Sequence, residues 1–580
     1  MRSSGWKRLR RDDGEGCGEW KRDQAAILCD PTAAGVGQTD AAAVNFNYDE
    51  PGPIVSTHAR RAAVMEIEPA IDAFARRYGD GVAQVAWTRL VSDLETPVSV
   101  YLKVAHGKPM SLLLESVEGG AARGRYSIIG LAPDIVWRAN GDNAEINRTP
   151  DKRPDAFKPA LGATLASLRA LLAESAMDLP EGLPPMAAGV FGYMGYDTVR
   201  LVEHLPDTPP DVLGVPDMIL VRPTVVIIFD NVKDEMTVVT PVRPSSRQTA
   251  QKAYAAAQKR LKAIVDALEA PIPHGATTTA AVRLPVAEPV SNTAPADFTR
   301  MVAKAKEYIR AGDAFQIVLS QRFSTPFTLP PFTLYRALRR TNPSPFLYHL
   351  DLGGFALVGS SPEILVRVRE GEVTIRPLAG TRPRGETVQA DEALAEALLT
   401  DPKERAEHLM LLDLGRNDVG RVAEIGSVEV TEKFFIERYS HVMHIVSNVA
   451  GRLRSDHDVI DALLAGFPAG TVSGAPKVRA MQIIDELERH KRGPYAGCVG
   501  YFSANGQMDT CIVLRTALVK DGVMHVQAGA GIVYDSQPEN EQQECINKAK
   551  AVVRAAEEAV RFATRGTKRS KSGGNGGEWA

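Results

Sequence analysis

Apolar positions along the first half of the chain recur with two different periods. Two stretches, 67–78 and 246–268, repeat their apolar residues at helical spacing and predict amphipathic helices. Short runs rich in β-branched residues, bounded by Pro, Gly and Asp, predict strands between them. The predicted strands are 99–104, 111–114, 126–130, 135–139, 218–221, 225–229 and 236–240. The first half is therefore predicted to be an α+β domain over 65–270.

A proline-rich stretch separates this domain from the second half. Residues 271–297 carry repeated prolines and three consecutive threonines, which predicts a linker. A helix over 298–310 and a strand over 315–323 then open a second domain, predicted over 298–565. Residues 1–64 and 566–580 lack apolar periodicity and are predicted to be a disordered N-terminal extension and a disordered tail. Met1 and Met65 are both candidate translation starts.

The composition fits a globular protein. The chain has 580 residues, 44% of them hydrophobic and 24% charged, which suits two large domains. A formal net charge of -3 gives no general attraction to nucleic acid or acidic membranes. No apolar run approaches the roughly 20 residues that span a bilayer, and the five cysteines lack CxxC spacing, as expected for reduced thiols. We therefore predict a cytoplasmic protein with no nucleic-acid or membrane partner.

Two Glu-x-x-Glu pairs, Glu404/Glu407 and Glu541/Glu544, are candidates for a metal site. Residues three apart share a face of a helix, so each pair places two carboxylates side by side. Clustered acids repel unless a cation joins them, and oxygen ligands without Cys or His favour magnesium over zinc. The alternative is that each pair is merely a solvated helix face.

The two pairs differ in the faces that they occupy. A helix beginning near residue 403 places the first pair in line with Leu411 and Leu414, on the side predicted to be buried. A second helix, after Pro538, has an apolar stripe that includes Ala549 and Val553. The second pair points away from this stripe, in line with Lys548, so periodicity leaves plain solvation open for it.

Three glycine-rich turns in the second half are candidates for binding an anion. They are 377–385, 470–477 and 527–532. Glycine allows the backbone to approach a ligand, and successive N–H groups can cradle carboxylate oxygens. The turn at 470–477 enters a predicted helix over 478–488, whose amino end favours an anion, although it is not a Walker A loop.

Four segments of the second half resemble the chorismate-utilising enzymes in their order and their amino-acid sequence, and within that family they resemble the branch that forms anthranilate. The segments are 377–385, 403–422, 467–502 and 527–550. The resemblance covers about residues 66–565. It implies an α+β fold of two intertwined lobes, with large, mainly antiparallel β-sheets packed together and flanked by helices. It also implies that 65–270 is an N-terminal regulatory domain and 298–565 the chorismate-binding catalytic domain.

The resemblance assigns roles to individual residues. Glu407 and Glu544 match the direct Mg²⁺ ligands, with Glu404 and Glu541 behind them as water-mediated or supporting acids. Arg515, on a predicted strand over 511–518, would bind the enolpyruvyl carboxylate of chorismate through a bidentate fork. The matching substrate-binding positions are Gly380, Thr381, Tyr495, Arg515, Gly529, Ala530 and Gly531.

Two further positions match the catalytic residues of the family. Glu363 matches the general acid that protonates the C4 hydroxyl as it leaves, so burial must raise its pKa. His444 matches the residue linked to pyruvate elimination. His441 and His444 face opposite sides of a strand, so at most one lies in a pocket, and His441 is interpreted as structural.

The implied reaction converts chorismate and ammonia to anthranilate and pyruvate, the first committed step of tryptophan biosynthesis. Cys17 lacks the G-x-C-x-G turn of glutamine amidotransferases, so a separate amidotransferase subunit must supply ammonia from glutamine. A heterotetramer is the expected assembly. Relatives that carry a lysine at the position of Ala379 make aminodeoxychorismate. A lysine at the position of Gln316 marks the isochorismate and salicylate synthases; both enzyme classes remain alternatives.

Two short segments resemble the site of feedback inhibition by tryptophan. They are 112–116 and 342–347, and the candidate residues are Ser116, Pro345, Phe346 and Leu347. The alternative is an ordinary strand edge and turn. A nonenzymatic sensor of tryptophan or chorismate is the alternative from a different class of protein.

Overall fold

The computed structural model describes residues 65–118, 122–273, 287–439 and 442–571. The predicted extension over 1–64, residues 274–286 of the predicted linker, the end of the predicted tail and His441 lie outside this part. Within it, no helix is both long enough and apolar enough to cross a membrane.

The helices of the described part are numbered along the chain. They are α1 (Ile71–Gly79), α2 (Pro97–Val104), α3 (Thr164–Ser175), α4 (Ala250–Glu269), α5 (Pro295–Ala311), α6 (Pro331–Thr341), α7 (Val388–Thr400), α8 (Pro402–Gly420), α9 (Val459–Gly466), α10 (Lys477–Leu487) and α11 (Pro538–Lys571).

The strands are numbered in the same way. They are β1 (Gln84–Val91), β2 (Ser111–Glu118), β3 (Ala122–Asn140), β4 (Asn143–Asn147), β5 (Lys158–Pro159), β6 (Gly189–Met194), β7 (Met218–Asp230), β8 (Glu235–Val242), β9 (Val290–Ser291), β10 (Gln316–Pro326), β11 (Phe346–Asp351), β12 (Phe355–Ser361), β13 (Ile364–Arg369), β14 (Glu372–Ile375), β15 (Leu378–Pro383), β16 (Glu429–Arg438), β17 (Val442–Arg452), β18 (Gly474–Ala475), β19 (Cys498–Ser503), β20 (Met508–Ile512), β21 (Thr516–Lys520) and β22 (Val523–Ile532).

Antiparallel pairing joins most of these strands along two paths, while β9 and β18 pair with β10, and β15 and β16 pair with β17. The first path runs β1, β8, β7, β3, β2, β11, β12, β21, β22 and β10. The second runs β5, β4, β3, β7, β6, β19, β20, β13, β14 and β17. Each path combines strands from both halves of the chain, which confirms the predicted α+β fold of intertwined lobes.

The two paths share β3 and β7, which can serve both because they are long. β3 has 19 residues and β7 has 13. Their register shifts between Pro133 and Ile135, next to Ala132, whose φ of 47° is left-handed. Such an irregularity bends a strand and increases its twist. The predicted strand pairs 126–130 with 135–139 and 218–221 with 225–229 are therefore single bent strands.

One apolar core is also shared by the two halves. It contains Phe74 and Leu261 from α1 and α4 together with Phe298, Ile483 and Val552 from α5, α10 and α11. Burial of apolar surface is the main source of stability, so neither half completes its core without the other. The domain boundary within 271–297 stays a prediction.

The predicted strand over 99–104 is wrong, because this segment forms α2. The Thr96 hydroxyl accepts a hydrogen bond from the Ser99 amide at 3.1 Å, and the Ser99 hydroxyl accepts one from the Thr96 amide at 2.8 Å. Pro97 occupies the first turn, where it needs no hydrogen-bond partner. This capping box outweighs the β-branched residues on which the strand prediction rested.

Candidate active site

A cavity of about 1110 Å³ opens between α8, α11 and the ends of several strands. All four segments that carry the family resemblance, 377–385, 403–422, 467–502 and 527–550, contribute residues to it. The predicted site residues that line it are Glu363, Gly380, Thr381, Glu404, Glu407, His444, Tyr495, Arg515, Gly529, Gly531, Glu541 and Glu544. The fold therefore brings both glutamate pairs and both catalytic candidates to one cavity.

Ala530 is the exception among the predicted substrate-binding residues. Its side chain is fully buried in the apolar core rather than at the cavity. Successive side chains of a strand point to opposite faces. The cavity is therefore bordered by Gly529 and Gly531 of β22, while Ala530 between them faces the core.

The first glutamate pair lies in the first turns of α8. Arg382 holds Glu404, donating from Nη1 to Oε1 at 2.9 Å, and also pairs with Asp401, which caps the helix. Gln316 Nε2 donates to Glu407 Oε1 at 3.1 Å. Burial raises the pKa of Glu407, and the neighbouring Glu404 raises it further. Negative charge is thus concentrated at this side of the cavity, as predicted for the inward-facing pair.

The second pair lies in the first turns of α11 and includes a partner that the sequence prediction missed. Lys548 Nζ lies 2.7 Å from Glu544 Oε1 and donates to the Gly529 carbonyl at 2.9 Å. Burial raises the pKa of Glu541. Helical periodicity places this pair in line with Lys548 and leaves plain solvation open, but it gives no sign that Lys548 also reaches the Gly529 carbonyl.

The donor set of the cavity fits magnesium. Among the described residues, no three His, Cys, Asp or Glu side chains lie close enough together to hold an ion by themselves. Magnesium, however, is commonly held by one or two carboxylates, with water and an anionic ligand completing its shell. Glu407 and Glu544 supply such carboxylates at the cavity, and a cation would offset the burial that raises the Glu407 pKa.

Glu363 has the burial that the predicted role of general acid requires. Its side chain is buried, and Thr471 Oγ1 donates to its carboxylate oxygens at 3.2 and 3.1 Å. Burial raises the pKa of Glu363 to about 8, against the opposing effects of the Thr471 hydrogen bond and the charge of Arg515. The carboxyl group therefore holds its proton near neutral pH.

His444 offers a free acceptor at the same cavity. Its Nδ1 lies 2.8 Å from the Gly380 carbonyl, which can only accept, so Nδ1 carries the hydrogen. Nε2 is buried without a hydrogen-bond partner in the described structure. Burial lowers the pKa of His444 to about 4, so the ring is neutral near pH 7. The Gly380 carbonyl, in the predicted substrate turn, thus fixes the tautomer of His444.

Arg515 reaches the cavity from a break in the sheet. The predicted strand over 511–518 is wrong at this point, because β20 ends at Ile512 and β21 begins at Thr516. Arg515 between them has a φ of 48°, a left-handed conformation that few residues other than glycine adopt. Burial lowers the pKa of Arg515. The break turns this side chain to the same cavity as Glu363.

Gly529 borders Tyr495 so closely that a side chain would not fit. A Cβ at this position would lie 2.8 Å from the Tyr495 hydroxyl and 2.8 Å from the Leu319 carbonyl. We expect Gly529→Ala to lower kcat/KM for the substrate roughly tenfold or more, because small displacements of positioning groups have large effects. Steady-state kinetics checks this, with Gly354→Ala as the control, since a Cβ there meets nothing within 4 Å. Equal kinetics in both variants would contradict the expected steric role.

The predicted regulatory residues are partly brought together. Ser116 of β2 lies directly opposite Phe346 of β11, and Pro345 precedes Phe346 in the chain. Leu347 is 2% exposed and belongs to the core, so its side chain faces the other way. Phe346 also pairs with Ser361 of β12, two residues before Glu363. The predicted inhibitor segment thus pairs with the strand whose end precedes Glu363, the predicted general acid, by two residues.

Comparison with known proteins agrees with this arrangement. The sequence model of the chorismate binding enzyme family matches residues 126–554. Anthranilate synthase component 1 from Cereibacter sphaeroides is 56% identical over 497 residues, covering 86% of this chain and 99% of the relative. Its counterpart from Pseudomonas aeruginosa is 48% identical over 500 residues, covering 84% of this chain and 99% of the relative.

Solved structures show the same fold. Anthranilate synthase component I from Streptococcus pneumoniae superposes with a TM-score of 0.65 at 40% identity, covering 74% of this chain and 92% of that one. The menaquinone-specific isochorismate synthase from Escherichia coli superposes with a TM-score of 0.61 at 20% identity, covering 84% of this chain and 99% of that one. The second likeness is one of fold alone.

Proposed function

The chain belongs to the chorismate-binding enzyme family, and from this membership we propose that it is the chorismate-utilising component of an anthranilate synthase. The observation that carries the proposal is the buried Glu363, which keeps its proton near neutrality beside His444 and Arg515 in one cavity. The names of the relatives and the two glutamate pairs support the same activity.

In the proposed reaction, ammonia forms a bond to C2 while the bond between C4 and its hydroxyl breaks. The ammonium group formed at C2 releases one proton to become the amine. Glu363 gives its proton to the departing oxygen, which leaves as water. In the second step the C2 proton leaves, and Nε2 of His444 is the available acceptor. The bond to the enolpyruvyl oxygen then breaks, the released enolpyruvate takes up a proton to become pyruvate, and the ring becomes aromatic.

The two carboxylates of chorismate have separate proposed partners. Arg515 binds the enolpyruvyl carboxylate, for which a planar guanidinium provides two parallel donors. Glu407 and Glu544 are proposed to hold Mg²⁺, which when bound supplies positive charge for the ring carboxylate. Glu404 and Glu541 adjust these two ligands, and Arg382 already fixes Glu404.

Two positions favour anthranilate over the products of related enzymes. Ala379 and Gln316 both line the cavity, at the positions where the alternatives carry a lysine. The Gln316 amide hydrogen-bonds Glu407 and cannot act as a base or a nucleophile as a lysine can. Ammonia is therefore left to attack chorismate directly.

A single assay tests the proposal. Purified chain is mixed with chorismate, Mg²⁺ and ammonium, and products are followed by fluorescence and mass. We expect anthranilate and pyruvate in equal amounts. Isochorismate, aminodeoxychorismate or no turnover would refute the proposed activity, and binding of chorismate without turnover would favour the sensor alternative.

The partner and the assembly are further parts of the proposal. Component 1 in the names of the relatives supports a second component, which we propose to be a glutamine amidotransferase that delivers ammonia within a heterotetramer. Glutamine should then serve as a donor only when that partner is present. A cytoplasmic location stays a prediction.

Feedback inhibition by tryptophan gives another prediction. We expect Ser116→Ala to raise the half-inhibitory tryptophan concentration roughly tenfold, about the effect of one lost hydrogen bond, with KM for chorismate unchanged. Inhibition curves at fixed chorismate measure the change, and Ser246→Ala, at an exposed serine, is the control. A wild-type enzyme that ignores tryptophan would remove the regulatory site altogether.

A further inference from the structure

A buried ion pair lies behind the wall of the cavity. Arg492 and Glu488 have side chains that are 1% and 5% exposed, and neither borders the cavity. Arg492 donates from Nε to Glu488 Oε2 at 2.9 Å and from Nη2 to Oε1 at 2.6 Å. A bidentate pair of this kind fixes the orientation of both side chains.

Arg492 also contacts the Tyr196 ring, which does not border the cavity, but its other hydrogen bonds go to residues that do. Nη1 donates to the Val472 carbonyl and Nη2 to the Val318 carbonyl, both at 2.7 Å. The guanidinium carbon also lies 5.5 Å from the centre of the Tyr495 ring. Val318, Val472 and Tyr495 all line the cavity, and Val472 follows Thr471, which holds Glu363.

Glu488 extends the same network to a fourth wall residue. Its Oε1 accepts hydrogen bonds from the Ser320 amide at 2.8 Å and the Ser320 hydroxyl at 2.9 Å. The Ser320 hydroxyl in turn accepts from Gln527 Nε2 at 2.8 Å. Gln527 lines the cavity and begins the glycine-rich turn over 527–532. One buried guanidinium is thus linked to four separate elements of the cavity wall.

We propose that Arg492 is a positioning residue for substrate binding, which sets the placement of Val318, Val472, Tyr495 and, through Glu488 and Ser320, of Gln527. The inference rests on the proposed function for the identity of the substrate, chorismate. Only arginine can fill the role. Its planar head presents five donors in a fixed arrangement, whereas lysine offers three on a flexible stem.

The test is Arg492→Lys, which keeps the charge but loses the planar fork. We expect KM for chorismate to rise roughly tenfold with a smaller fall in kcat, because Arg492 acts on the wall and has no bond to Glu363. The pH at which activity declines should stay that of the wild type. Arg222→Lys is the matched control, since the Arg222 side chain is 6% exposed, pairs in bidentate fashion with Asp134 and does not line the cavity.

Both variants should lose thermal stability, and only the kinetics separates them. A chorismate KM for Arg492→Lys that matches that of Arg222→Lys would overturn the positioning role. Wild-type enzyme that forms no anthranilate would refute the proposed function instead, so the two failures are distinct. If Arg492→Lys does not fold, Ser320→Ala removes the hydroxyl that joins Glu488 to Gln527 and leaves the hydrogen bonds of Arg492 in place, and an unchanged KM there would also refute the proposal.

Discussion

Replacing Glu363 with glutamine is expected to remove nearly all formation of anthranilate while leaving chorismate binding close to that of the wild type. The amide keeps the shape of the carboxyl group and its contact with Thr471, but it has no proton to give to the leaving hydroxyl. Loss of a positioned general acid lowers kcat roughly 10²- to 10⁴-fold. Initial rates with ammonium and calorimetric binding of chorismate measure the two effects separately.

The wild-type pH profile provides an independent check on the same residue. Burial raises the pKa of Glu363 to about 8, and the acid must be protonated to act, so kcat should decline as the pH rises through about 8. The residual activity of Glu363→Gln should lack this decline. Glu372→Gln, at an exposed strand position, should keep the full profile. A Glu363→Gln variant with normal kcat would assign the proton transfer elsewhere.

Stability should change with pH in the same range. A folded pKa above the unfolded value means that the stability contributed by protonated Glu363 is fully present below the unfolded pKa, near 4.3 to 4.5. It is lost as the pH rises through about 8. Between pH 6 and pH 9 the thermal stability of Glu363→Gln should therefore fall less than that of the wild type. The reason is that glutamine has no proton whose binding differs between the folded and unfolded states.

Local spacing predicted only one part of this arrangement, the inward face of the first glutamate pair, whereas the other site residues came from the resemblance to a family. Glu404 and Glu407 face the cavity as helical periodicity indicated, since three residues nearly complete a turn. The left-handed break at Arg515 was missed, because φ is set there by the surrounding sheet and not by the residue itself. Arg492 lies within the quoted segment 467–502, but its importance comes from contacts with β10 and with residue 472.

The sequence predicted the fold class but not which strands pair with one another. Hydrophobic periodicity identifies strands, yet it does not say that β2 pairs with β11 or that β6 pairs with β19. Such pairings join residues more than two hundred positions apart and depend on the packing of the whole chain. At α2 a strand was predicted where the structure has a helix. The prediction gave more weight to the β-branched residues than to the capping box at the start of the segment.

Replacing either proposed metal ligand, by Glu407→Gln or Glu544→Gln, should raise the magnesium concentration that gives half-maximal activity. Each variant removes one of two anionic donors, and we expect a rise on the order of tenfold to a hundredfold together with weaker chorismate binding. Calorimetric titration of chorismate with and without Mg²⁺ gives a readout that does not depend on turnover. Glu557→Gln, an exposed position on the same helix as Glu544, is the control.

The stability of the two variants should separate a metal site from a structural role. Without Mg²⁺, burial and Glu404 raise the pKa of Glu407, so the charged carboxylate is unfavourable in the folded protein at neutral pH. Glu407→Gln should therefore unfold at the same temperature as the wild type, or at a higher one, without Mg²⁺ while losing the magnesium response. Glu544 is 46% exposed and pairs with Lys548, so Glu544→Gln should change the unfolding temperature little. Destabilisation of both variants with an unaltered magnesium response would show instead that these acids serve the fold.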